Sequence, residues 1–204
     1  DTTTPRFERF RREGGVYLIA ELSANHGQRL ETALASVRAA AECGADAVKL
    51  QTYTADTLTL DCDNEHFRIR QGTPWDGKTL HALYQEAYTP WEWHAPILAE
   101  ARACGLDFFS TPFDASAVAF LETLGVGVYK IASFELNDIP LLECVAARKK
   151  PMLLSTGVST LAELEEALGA CRRVGNNDLT LLKCTSSYPA SPAEANLLTI
   201  PNLA

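Results

Sequence analysis

No stretch of this chain stays apolar for the ~18–20 residues that a membrane-spanning helix needs. Its charged start also lacks the apolar core of a signal peptide. Basic residues are in deficit: 18 Lys and Arg stand against 26 Asp and Glu, a net charge of −8. That sign argues against nucleic acid or an anionic membrane as a main partner, although a local basic pocket can still take a small anion. Of the six cysteines (43, 62, 104, 144, 171 and 184), none falls in a CxxC pair or at metal-ligand spacing. Cys43, Cys104 and Cys171 recur near helix ends, which reads as buried reduced thiols in a reducing, cytoplasmic setting. Missing too is any glycine-rich loop of the GxGxxG or GxxxxGK type after a strand, which disfavours a nucleotide-binding open sheet.

What is present is a repeated unit: helix, glycine-bearing turn, short apolar strand, polar strand end. It recurs as AECGADAVKLQT, ARACGLDFFSTP, LETLGVGVYKIAS and CRRVGNNDLTLLKCTS. With 47% hydrophobic residues, 204 residues bury a sizeable core as one domain. Strands are expected at 16–23, 46–51, 106–111, 126–131, 151–155 and 179–184. Helices are expected at 30–43, 79–87, 89–104, 114–124, 139–149 and 160–174, and residues 1–15 read as a loosely held lead-in. Thr89-Pro90-Trp91-Glu92 and Thr160-x-x-Glu163 have the spacing of capping boxes, and Asp114 and Asp138 stand where N-caps belong. Between the second strand and its helix lies an insertion, 52–78, longer than an ordinary βα loop needs.

Strands that alternate with helices make a parallel sheet with right-handed crossovers. The expected fold is α/β, a (β/α)8 TIM barrel of which this chain carries about the first six βα units, over 16–204. A six-unit barrel leaves two strand edges unpaired. Either the chain is a piece of a longer protein or something else closes the sheet.

In such a fold ligands bind at the carboxyl ends of the strands. The polar residues there are Glu21, Asn25 and His26, then Lys49 and Gln51, then Ser110 and Thr111. Lys130, Ser133 and Glu135 follow, and after them Ser155, Thr156, Lys183, Ser186 and Tyr188. Lys130 stands out because the apolar run 126–131 delivers an ammonium, and an unpaired buried ammonium is costly. A lysine snorkelling to solvent is the plain alternative. Lysines and hydroxyls around one mouth make a site for phosphate and carboxylate oxygens, and Glu21 suits proton transfer or a sugar hydroxyl. Thr111-Pro112 and Ser155-Thr156-Gly157 read equally well as helix-entry turns. His66, His81 and His94 read as surface residues, and His26 alone does not make a metal site.

IAELSANH (19–26), GADAVKLQTYTADTLTLD (44–61), AYTPWEWH (87–94), FSTPFD (109–114), YKIASFE (129–135), LSTG (154–157) and LKCTSSYP (182–189) resemble the sialic-acid synthase family. Within it the match is to the branch that makes pseudaminic acid. The resemblance implies an enzyme that condenses phosphoenolpyruvate (PEP) with an amino-sugar aldehyde, giving a nonulosonic acid and phosphate. On that basis Glu21, Lys130 and Glu135 are catalytic. Lys49, Thr111, Lys130, Ser133, Ser155 and Ser186 bind PEP, and Asn25, Gln51 and Tyr188 face the sugar. Ser186 departs from the asparagine of the sialic-acid branch. A divalent metal, Mn2+ or Mg2+, is implied, with two histidine ligands expected beyond Ala204. So are a C-terminal antifreeze-like domain and a homodimer. Two other readings stay open: a class I aldolase using Lys130 as a Schiff base, and a non-catalytic sugar-phosphate binding module.

Overall fold

The computed structural model describes residues 6–70, 72, 75–187 and 190–203. They fall into two compact units, Asp1–Ser110 and Thr111–Ala204.

Unit 1 opens with α1 (Arg6–Glu13), where the sequence suggests only a loose lead-in. The backbone N–H groups of Arg6 and Phe7 donate to the two carboxylate oxygens of Asp107, at 3.0 and 2.7 Å. An acid at a helix N-terminus satisfies N–H groups that have no partner within the helix. The Tyr17 hydroxyl donates to the same carboxylate at 2.7 Å, Arg6 pairs with Asp46 at 3.2 Å, and Phe7 is buried. These ties hold the segment firmly.

Then follow β1 (Ile19–Glu21), α2 (Leu30–Glu42) and β2 (Ala47–Thr52), with β1 parallel to β2 and Glu21 directly opposite Lys49. Along β2, Val48, Leu50 and Thr52 are fully buried, while Lys49 and Gln51 share the other, less covered face. This is the period of two that any strand imposes. Within the insertion, α3 (Ala55–Leu58) starts at a Thr54–Thr57 capping box. The Trp91 indole N–H donates to the Tyr53 carbonyl at 3.2 Å, and Arg68 and Thr79 form an antiparallel bridge. α4 (Leu80–Ala87), α5 (His94–Ala103) and β3 (Asp107–Pro112) complete the series.

The capping box expected at Thr89 is not formed. Trp91–Trp93 is a 3-10 turn without a side-chain cap, and the Thr89 hydroxyl instead meets His26 Nε2 at 3.1 Å. The histidine assignment also changes. His81 and His94 are buried, while His66 is exposed as expected. His81 lies 2.8 Å from an Asp56 oxygen. His94 Nε2 lies 2.8 Å from the Thr52 hydroxyl, which reaches Ser110 Oγ at 2.7 Å, and His94 Nδ1 faces the Pro90 carbonyl at 3.3 Å. That geometry fits a neutral ring with Nδ1–H donating to Pro90 and Nε2 accepting from Thr52.

Burial, the main cause, lowers the His94 pKa to about 4 from an ordinary 6.5. The unfolded chain therefore binds more protons between pH 6.5 and 4, and stability falls as pH drops through that window. The expected contribution is up to ~3 kcal/mol. His26, whose pKa burial also lowers, adds to it with the same sign. Denaturant melts at pH 7 and 5 check this: the difference should shrink in His94→Gln.

Unit 2 repeats the plan. α6 (Ala115–Leu124) is capped by Asp114, whose carboxylate accepts from the Ser116 and Ala117 N–H groups. It ends at Gly125 with φ 67°, where a side chain would be strained. β4 (Tyr129–Ile131) leads through a 3-10 turn, Ser133–Glu135, to α7 (Ile139–Ala146), capped by Asp138. β5 (Met152–Ser155) is buried along its whole length, as a parallel strand covered on both faces should be. The Thr160–Glu163 capping box opens α8 (Leu161–Arg173), and β6 (Leu179–Leu182) and α9 (Thr199–Leu203) follow. β4, β5 and β6 pair in parallel and in sequence order. Cys171 is buried, but Cys43 is exposed and Cys104 half-buried, because each caps the solvent-facing end of its helix. Among the described residues the chain thus repeats strand and helix six times, the plan of a (β/α)8 barrel.

Candidate functional site

In unit 2 the candidate side chains gather at the carboxyl ends of β4, β5 and β6. Lys130 is buried to 9% exposure, and its Nζ donates to the Ile131 carbonyl at 2.7 Å. Three residues on, the 3-10 turn carries Ser133 and Glu135. Burial raises the Glu135 pKa, the Lys130 charge opposes that rise, and Glu135 Oε2 is enclosed without a hydrogen-bond partner. A carboxyl held neutral more readily than usual suits proton delivery. Ser155, 5% exposed at the end of β5, accepts from the Cys184 thiol at 3.2 Å. Ser133 Oγ accepts the Gly157 backbone N–H, also at 3.2 Å. Thr111 is buried in the last part of β3.

Gly157 is the residue that reading the sequence for side-chain chemistry passes over. A Cβ built there would run into Ser186 Oγ, with Ser133 Oγ at 3.0 Å and Cys184 Cβ at 3.1 Å. The absent side chain lets three hydroxyl-bearing segments converge on one point. Gly157 had a signal, since a glycine two residues past a strand end often marks close approach of other groups.

In unit 1, Glu21 and Lys49 are cross-strand partners joined by an ion pair. The Ser23 N–H donates to the Glu21 carboxylate at 3.1 Å, with Ser23 itself left-handed at φ 46°. Gln51 lies on the same face of β2 as Lys49. Asn25 is exposed and His26 buried, and both border a cleft of about 130 Å3 that Glu21 also lines. The loop carrying them is pinned by Gln28, whose side-chain amide donates to the Glu86 and Tyr88 carbonyls at 2.9 and 2.7 Å. His26 accepts the Gln28 N–H at Nδ1, so its Nε2–H donates to Thr89 and the ring is a structural pin. Tyr188, assigned to the sugar, lies outside the described residues. No three His, Cys, Asp or Glu side chains are gathered to hold a metal ion among the described residues. Nor, among them, is any helix long and apolar enough to cross a membrane.

A parallel strand–helix repeat with its polar groups at strand carboxyl ends defines the (β/α)-barrel class. A solved structure agrees over 93% of this chain and 61% of its own: the N-acetylneuraminic acid (sialic acid) synthetase from Leptospira borgpetersenii in complex with citrate, with TM-score 0.79 and 31% identity. The chain belongs to the NeuB family, whose model matches residues 36–204. Among curated relatives, pseudaminic acid synthase from Helicobacter pylori is 50% identical over 91% of this chain and 54% of its own length. The N,N'-diacetyllegionaminic acid synthase from Legionella pneumophila is 36% identical over 92% of this chain and 54% of its own. The chain spans about half the length of the curated relatives it matches.

Proposed function

We propose that the whole protein condenses PEP with a 2,4-diacetamido-2,4,6-trideoxyhexose, or a similar amino-sugar aldehyde, to give a nonulosonic acid and inorganic phosphate. The observation that carries this reading is the pair of hydroxyls, Ser133 and Ser186, that meet at Gly157, with Ser155 beside them through the Cys184 thiol, at strand ends that also present the buried Lys130. Hydroxyl donors and an enclosed ammonium match a small molecule with a phosphate and a carboxylate. The 50% identity to a pseudaminic acid synthase supports that acceptor over others.

Carbon 3 of the enol attacks the aldehyde carbon, forming the new C–C bond and leaving a cationic centre at carbon 2. Water adds there, and the tetrahedral intermediate collapses with loss of phosphate and formation of the keto group. In this reading Lys130, Ser133, Ser155 and Ser186 in unit 2, with Thr111, neutralise and orient the two anionic groups. Lys49 is assigned to PEP and Gln51, Asn25 and Tyr188 to the sugar. Glu135 supplies a proton to the aldehyde oxygen, and Glu21 handles the proton of the attacking water.

A divalent cation would polarise the aldehyde. Among the described residues no three His, Cys, Asp or Glu side chains gather to hold one. A homodimer and a cytoplasmic setting belong to the same proposal. Phosphate release that requires both PEP and the amino sugar tests the reading. Release from PEP alone, or none from either pairing, would overturn it.

A further inference from the structure

The hydroxyl pair at Gly157 is flanked by exposed apolar side chains. On the 3-10 turn Ser133–Glu135 the two outer residues are engaged: Ser133 Oγ accepts the Gly157 N–H at 3.2 Å, and Glu135 Oε2 is enclosed. Phe134 between them is 71% exposed. Three residues make one turn of a 3-10 helix, so their side chains spread around it and one is left to solvent. Val158, next after Gly157, is 49% exposed. Phe134 and Val158 therefore each stand one residue, ~3.8 Å of backbone, beyond the two residues that touch.

A phenyl ring stabilises a fold by leaving water, and this one stays in it. Single exposed apolar residues are ordinary on a surface. Two that border a candidate anion site, on the side from which ligands arrive, are placed where a bound molecule would cover them.

The proposed reaction says which molecule that is. The aldehyde carbon must come within ~3–3.5 Å of carbon 3 of PEP, so the acceptor lies against the solvent side of bound PEP. With PEP held at Ser133 and the aldehyde oxygen served by Glu135, the acceptor passes the residue between them. A 2,4-diacetamido-2,4,6-trideoxyhexose carries two acetyl methyls and a methyl at carbon 6. N-acetylmannosamine has one acetyl methyl, and hydroxyls at carbons 4 and 6.

We propose that Phe134, with Val158 across the Ser133–Gly157 contact, is a specificity-determining residue that lays an apolar rim against the acceptor's methyl groups. The site thereby prefers the trideoxy sugar to one with hydroxyls in those places. This inference deepens the PEP-condensation reading and rests on it.

The test is steady-state kinetics of the whole protein with each sugar, for wild type, Phe134→Ser and Phe134→Leu. Both substitutions replace an exposed side chain, so the melting curve should not move. Phe134→Ser is expected to raise KM for the trideoxy sugar about tenfold, the scale of one lost apolar group in discrimination between substrates. KM for PEP should stay as in wild type, and kcat/KM for N-acetylmannosamine should hardly change. Leucine keeps apolar surface and should retain most of the preference. A trideoxy-sugar KM in Phe134→Ser that matches wild type would overturn the inference. A parallel rise in both KM values would also overturn it, making the ring a support for the turn. So would a changed sedimentation coefficient with that KM unmoved, which would make the ring a contact with a second copy. Wild-type protein that makes no nonulosonic acid from either sugar sinks the reaction and the inference with it, before any variant is compared.

Discussion

Lys130→Ala in the whole protein is expected to lose at least about a hundredfold in kcat/KM for PEP, ~3 kcal/mol of transition-state binding. The ammonium is almost fully enclosed, so water screens it weakly and its pull on a bound anion far exceeds that of a surface lysine. Its charge also opposes the burial of Glu135. Removing it should push that carboxyl further toward its neutral form. Lys130→Met fills the same space without the charge and should fail as badly, which separates charge from packing. Steady-state kinetics on both variants, after circular dichroism has established folding, checks the expectation. Near-normal kinetics in either would remove Lys130 from the site.

Gly157→Ala is the second large effect. Its Cβ would land on Ser186 Oγ and press on Ser133 Oγ and Cys184 Cβ, so hydroxyls from two segments must move to admit one methyl group. Gly157 does not adopt a left-handed backbone, so alanine strains only the space in front of it. Stability should therefore change little while the anion site is displaced. Misplacement of about 1 Å can cost ~100-fold, and we expect KM for PEP to rise at least about thirtyfold. A variant that melts as wild type does and shows that rise supports the cluster. An unchanged KM would mean that no ligand oxygen approaches Gly157.

Much of this was legible in the chain itself. The strand–helix repeat announced its period at every unit, and the caps at Asp114, Asp138 and Thr160 formed as their spacing promised. Lys130 was conspicuous because an apolar run rarely carries a lysine without reason. The misreadings share one cause: a polar side chain's partner lies far along the chain. Thr89 has the spacing of a cap but answers His26, 63 positions away. His94 reads as a surface helix residue until Thr52 and Ser110 are seen to supply its buried partners. The N-terminal segment looks loose only while Asp46 and Asp107 are not known to wait for it. Gly157 closes the LSTG motif, yet its neighbours in sequence do not say that Ser186 and Cys184 are what fold against it.

The most direct measurement follows the bridging oxygen of PEP. Carbon–carbon bond formation followed by water addition at carbon 2 requires the C–O bond to break, so the bridging oxygen must leave with phosphorus. PEP labelled there with oxygen-18 is incubated with the whole protein and 2,4-diacetamido-2,4,6-trideoxyhexose, and both products are analysed by mass spectrometry. The expected products are a nonulosonic acid free of label and inorganic phosphate that carries it. Label retained in the sugar acid, or labelled phosphate without any sugar acid, would contradict that expectation.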